Sequence, residues 1–258
     1  MKTLLVYASV LSAVTCCITH PHQGNPQTIT EQSLLPFYRE TDHFKLFCTA
    51  QDHEFGDEIV DENEQFMAKL EQKFDYQYKE KIDVIIFPDQ RSFHTAINKP
   101  SAPSWVVAWY DKNCIKMVSP QDPDIPHSKE DMKKSSKNGT TVLLIIEKYQ
   151  DAHVPRWLRQ GVALYLTAYY KIRSLHDLTQ INSHIPTIEE LETSESTGSF
   201  DAINGFFASY SLVQYLDTAY GWNMILQIIE NYSKLEELTQ KNKEEIRNDW
   251  LKSLSKRN

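Results

Sequence analysis

The residue that first suggests chemistry is Glu147. It stands in Val142–Tyr149, a run that is otherwise apolar apart from Lys148. A helix that is apolar nearly all round is a buried one, and a carboxylate inside it needs a partner or a task. Asp151 lies one turn further on, and His153 follows it. A cation site made of these three is one reading, although His153 falls off the face that Glu147 and Asp151 share. The plainer reading is a buried carboxyl held by hydrogen bonds, or one with a raised pKa, with a histidine near the negative end of a helix. The nine histidines include no pair at i, i+4, and His20 and His22 form only an HxH near the N-terminus. No G-x-G-x-x-G, Walker-type loop or G-x-S-x-G elbow occurs. Cys48 and Cys114 stand in no protease-like local motif.

Two helices must position Glu147. Thr140–Tyr170 reads as a pair with a sharp bend, with Asn138-Gly139 as a turn ahead of it and Thr140 or Thr141 as the first cap. Pro155 stops or redirects the first helix and suits the first turn of the second. In that second helix Trp157, Leu158, Val162, Leu164, Tyr165 and Tyr169 form a broad apolar face.

At these residues the chain resembles the peptidase MA-like (gluzincin) superfamily of zinc metallopeptidases. That pattern reads H-E-x-x-H and then W-L-x-E-G-x-A-x-Y. Trp157 to Tyr165 (WLRQGVALY) matches the second half at every fixed position but one, and Glu147 fits the glutamate of the first half. Ile146 and Gln150 stand where the two His ligands are expected, and Gln160 where the Glu ligand is. Two His at i, i+4 grip one Zn²⁺ from a single helix face, with the intervening Glu as general base. Catalytic zinc takes three protein ligands. Isoleucine has no donor atom, and a neutral glutamine oxygen is a poor substitute for imidazole or carboxylate.

The resemblance therefore implies a catalytically inactive, metallopeptidase-like exported protein. Glu147 would be a vestigial general base, Ile146, Gln150 and Gln160 degenerate ligand positions, and no metal or other cofactor would be held. The cleft would be retained for binding or scaffolding an extended peptide or a protein. Strand Cys114–Ser119 would line it, with Met117, Trp157 and Tyr210 among the cleft residues. The alternative is an active peptidase with an atypical metal site, zinc included, that hydrolyses peptide bonds.

The fold class expected is α+β: a zincin-like domain with a small mixed N-terminal sheet and a helical C-terminal half. His43–Ala50 and Lys81–Phe87 read as strands with a long amphipathic helix, Glu54–Phe74, between them. Gln90–Asn98 reads as a short helix. Trp105–Tyr110 and Cys114–Ser119 read as a hairpin about Asp111-Lys112-Asn113. Ser128–Ser136, Ile188–Leu191, Gly205–Tyr220, Trp222–Asn231 and a closing Lys234–Lys256 read as helices.

Composition bounds the rest. With 258 residues, 41% hydrophobic and 11% aromatic, the chain can bury one substantial core, and its formal charge of −8 argues against nucleic acid as a partner. Lys2 followed by the apolar run Thr3–Ile18 has the make-up of a signal peptide and is short for a membrane span. The expected division is a signal segment over 1–19, a polar tether over 20–42 and the domain over 43–258. The protein would be exported, secreted or at the cell surface, touching a membrane only through a lipid anchor on Cys16 or Cys17. In an oxidising compartment Cys48 and Cys114, both on expected strands, would be candidates for a disulfide. Asn138-Gly139-Thr140 and Asn231-Tyr232-Ser233 are glycosylation sequons.

Overall fold

Phe44–Phe47 (β2) alternates: Phe44 and Leu46 are buried while Lys45 and Phe47 reach solvent. Ile82–Phe87 (β3) is buried at all positions but Asp83, as a strand covered on both faces must be. β3 accordingly lies at the centre of a five-stranded sheet of order β1-β2-β3-β5-β4, with β1 at Phe37–Glu40, β4 at Ala108–Asp111 and β5 at Cys114–Val118. β2, β3 and β5 run parallel, and β1 and β4 close the two edges antiparallel. The helix α1 (His53–Phe74) makes the crossover from β2 to β3, and α2 (Gln90–Ala96) follows β3. Lys112 and Asn113 have φ of 44° and 59°, the left-handed pair that a two-residue hairpin turn demands. The computed structural model describes residues 35–150, 152–172, 175–179, 184–194 and 196–255, all within the compact unit Glu31–Asn258. The signal-type segment, Cys16, Cys17, His20, His22 and Asp151 lie outside the described residues.

The sequence reading needs correction at four places. The stretch expected to be tether as far as residue 42 contributes β1, which Arg39 ties to α1 through Asp57 (2.8 Å) and Asp61 (2.6 Å). Asn138-Gly139 is no turn: Lys129–Lys148 is one continuous 20-residue helix, α3, opened by a capping box of Ser128 and Asp131. Thr140 and Thr141 cap nothing and bond back to the carbonyls of Ser136 and Lys137. Gly139 is tolerated in mid-helix because β5 and β4 press against it; a Cβ there would meet Ile115 and the Tyr110 ring at 3.1–3.2 Å. Asn138, inside this helix and 7% exposed, is also a poor glycan acceptor.

The expected closing helix is two, α10 (Leu235–Thr239) and α11 (Lys243–Ser255), parted by Gln240 at φ 55°. Asn242 and Glu245 hydrogen-bond reciprocally across the first turn of α11, so the break was written as N-x-x-E. Cys48 and Cys114 are not joined by a disulfide. Phe47 is in register with Ile85, and Ile85 with Lys116, so β3 lies between the two cysteines. Two strand spacings of about 4.8 Å exceed the roughly 7 Å Cα limit of a disulfide.

The C-terminal half is helical: α4 (Arg156–Leu166), four further short helices α5 (Leu175–Thr179), α6 (Ile188–Thr193), α7 (Thr197–Ala202) and α9 (Trp222–Glu230), and the long α8 (Gly205–Tyr220). α4 and α8 pack at close range. Gly161 permits it, since a Cβ there would lie 2.6 Å from the Ser209 carbonyl oxygen. Trp250 of α11 is fully buried and donates its indole N–H to Ser211 of α8 at 2.9 Å.

Candidate functional site

A cleft of about 1410 Å³ opens between β4, α3, α4 and the start of α8. Val106 to Tyr110 line it at five consecutive positions. Side chains alternate across a strand, so one face would contribute every second residue. The cleft therefore runs along the edge of β4. Val118 donates its N–H to the Val107 carbonyl at 3.0 Å, which makes that a hydrogen-bonded pair. By alternation along the antiparallel ladder, Trp109 faces β5 while Ala108 and Tyr110 turn their backbone groups to the open edge.

The opposite wall is one face of α3. Ser135, Asn138, Val142 and Ile146 recur at helical spacing and all reach the cleft. α3 and α4 are joined by a short link and meet again where the Thr167 hydroxyl donates to Asn138 Oδ1 at 2.8 Å, so they run antiparallel. Gln160 lies seven residues before Thr167, about 10.5 Å back along the axis at 1.5 Å per residue. That sets it opposite the Val142–Ile146 turn. Gln160 is 8% exposed and donates to the Tyr110 hydroxyl. Burial pushes the Tyr110 phenol above its ordinary range.

The structure gathers some of the expected site residues and disperses others. Ile146 and Gln160 share the cleft, and Ile146 is 44% exposed at its rim. Gln150 does not share it. α3 ends at Lys148, so the i, i+4 relation from Ile146 is lost, and Gln150 lies in a separate hollow of about 80 Å³ beside Ile146 and Arg159. Glu147 faces the other way. Its Oε1 accepts from the Tyr76 hydroxyl (2.8 Å) and from the Lys79 N–H (3.0 Å), tying α3 to the α1–β3 connection.

The expected cleft residues Met117, Trp157 and Tyr210 are core residues. Met117 is fully buried on β5, an internal strand, and the strand at the cleft is β4 instead. Trp157 is fully buried with its indole N–H on the Tyr232 hydroxyl at 3.1 Å. Tyr210 packs edge-on against Tyr165 and Tyr170. His153 does line the cleft, but Glu147, turned away, cannot join it. Among the described residues no group of three His, Cys, Asp or Glu could hold a metal ion. The side chains facing Gln160 on α3 do not fit zinc, because valine and isoleucine have no donor atom.

The cleft is instead basic and aromatic at the α4 wall. Arg156 lies over the rings of Phe200 (5.0 Å) and Phe206 (5.8 Å) and donates to Thr197 at 3.1 Å. Arg159, one turn on, is half-buried and shared by the cleft and the small hollow. Among the described residues its guanidinium has no hydrogen-bonding or ion-pairing partner. Burial pulls both guanidiniums below their ordinary range, and the Tyr110 phenol beside them opposes the shift.

Two of the three acidic residues that line the cleft are engaged elsewhere. Asp131 is held by the Ser128 cap, which keeps its carboxyl below the usual range, and Glu192 pairs with Lys243 at 2.7 Å. Asp201 has its pKa raised by burial. Sequence reasoning passed over Arg156 and Arg159. The available signal was two arginines at i, i+3 on an otherwise apolar helix with no acidic residue from 156 to 166. Compared with known proteins, the chain matches no family model and no curated protein.

Proposed function

We propose that this chain is a non-catalytic peptide-binding protein on a gluzincin-type frame, one that keeps the cleft and has lost the zinc centre. The observation that carries the reading is the open edge of β4 running along a cleft of about 1410 Å³. A peptide laid there in extended form gains main-chain hydrogen bonds from Ala108 and Tyr110, as in strand addition to a sheet edge. Trp105, Trp109 and Phe206 supply apolar contact for its side chains.

The W-L-x-x-G-x-A-x-Y run at Trp157–Tyr165 supports the family reading, as does the order of sheet first and paired helices after. Loss of hydrolysis is supported by chemistry: Val142 and Ile146, opposite Gln160, offer no ligand to zinc, and without a Lewis acid no water is activated at neutral pH. The apolar run Thr3–Ile18 supports export of the same protein, with Cys16 or Cys17 as the attachment point of any lipid anchor.

Metal analysis of the purified full chain tests the reading. The natural chain is expected to hold no stoichiometric zinc and to show no chelator-sensitive peptide cleavage; one tightly held equivalent with such cleavage sinks the non-catalytic assignment. The complementary test is Val142→His, Ile146→His and Gln160→Glu together. These place two imidazoles at i, i+4 opposite a carboxylate, and the variant is expected to bind one zinc. A folded variant that binds none refutes the zincin geometry.

A further inference from the structure

The cleft carries a positive group that the described residues leave unpaired. Arg159 projects from α4 into the cleft, half-buried, and its guanidinium makes no hydrogen bond or ion pair with any described residue. Removing an arginine from water without a partner is costly, and core or surface arginines normally recover that cost locally. Its neighbourhood increases the demand for an anion. Arg156 places a second positive charge close by, and Tyr110 of β4, which interacts with both guanidiniums, is a phenol with its pKa raised. The cleft carboxylates are already engaged in the case of Asp131 and Glu192, at the Ser128 cap and at Lys243.

Resting on the peptide-cleft reading, we infer that Arg159 is the specificity-determining residue of this cleft and selects an acidic extended peptide, pairing its guanidinium with a Glu or Asp side chain of the bound strand. The geometry joins the two halves of the claim. Tyr110, whose outward backbone groups would pair with the incoming strand, is also the residue whose phenol lies near Arg159. A strand added at about 4.8 Å from β4 would present every second side chain toward the α4 wall. A carboxylate on one of those side chains meets a planar five-donor fork suited to bidentate pairing. Trp105, Trp109 and Phe206 favour apolar or aromatic neighbours around it.

The test uses the full chain and a blocked pentapeptide, Val-Phe-Glu-Phe-Val, with its central Gln and Lys analogues, read by the fluorescence of cleft tryptophans. The Glu peptide is expected to bind at least about tenfold tighter than the Gln analogue, the usual effect of a charge-assisted pair, with the Lys analogue weakest. Arg159→Gln is expected to abolish that preference, and Arg159→Lys to retain part of it. Equal binding of the Glu and Gln peptides to the natural chain overturns the Arg159 assignment and leaves the cleft reading standing. So does a preference that survives in a folded Arg159→Gln variant. Failure of all three peptides to bind overturns both. Inorganic phosphate displacing the Glu peptide at a concentration equal to the peptide's own would mean a free-anion site, and would also overturn the assignment.

Discussion

Replacing Gly161 with alanine measures how closely α4 must approach α8. The added Cβ would lie 2.6 Å from the Ser209 carbonyl oxygen, 2.9 Å from its carbon and 2.8 Å from Val213 Cγ2. Two of these contacts are backbone, so no rotamer change relieves them. Restoring an ordinary separation of about 3.4 Å parts the helices by about 0.8 Å, and such overpacking costs roughly 2–3 kcal/mol. Alanine returns about 1 kcal/mol of helix propensity, leaving a net loss of about 1–2 kcal/mol. Gly198→Ala is the internal control. It also lies in a helix, but a Cβ there meets nothing within 4 Å, so only the propensity gain of up to about 1 kcal/mol remains. In urea unfolding followed by circular dichroism and tryptophan fluorescence, Gly161→Ala should lower the midpoint by about 0.5–1 M at unchanged slope. Gly198→Ala should hold or raise it. If the two variants shift together, the close approach of α4 and α8 is not what fixes glycine at position 161. The same displacement would carry Arg156, Arg159 and Gln160 with α4, so cleft binding should weaken in Gly161→Ala even where the chain remains folded.

Two other outcomes are expected. The Tyr76 phenol is pushed up to about 12 by burial and by donation to Glu147, so the folded chain favours its neutral form. That contribution is whole below the unfolded phenol value of about 10 and is lost as pH rises through about 12. In Glu147→Gln, absorbance at 295 nm should show Tyr76 titrating at lower pH than in the natural chain, together with Tyr78, whose phenol Glu147 also raises; an unchanged titration would mean that Glu147 does not hold Tyr76. Burial likewise pushes the Cys48 thiol up to about 12, so it should resist thiol reagents until the chain unfolds. Peptide mapping without reductant should find Cys48 and Cys114 unlinked, and a bridged pair would contradict the strand order.

Local pattern alone determined much of this protein. The period-2 burial of Phe44–Phe47, the apolar run Ile82–Phe87 and the hairpin residues Lys112-Asn113 each carry their conformation in their own chemistry. So do the amphipathic α1 and the Gly221 break between α8 and α9. The mixed α+β architecture follows from their order. Where the sequence misled, a local rule lost to packing. Asn138-Gly139 has turn chemistry, yet Tyr110 and Ile115 need the missing Cβ and Thr167 needs the amide, so the helix continues.

The site depended on tertiary structure more heavily. Spacing placed Ile146, Glu147 and Gln150 within about one turn of an expected helix. Spacing could not say that the helix stops at Lys148, or that Tyr76 and Lys79 draw Glu147 to the far side. The partner of a long polar side chain is decided by residues about seventy positions away, and no periodicity encodes that. Only the fold reveals that the Arg159 guanidinium has no partner among the described residues, because lack of a partner is a property of every neighbour at once.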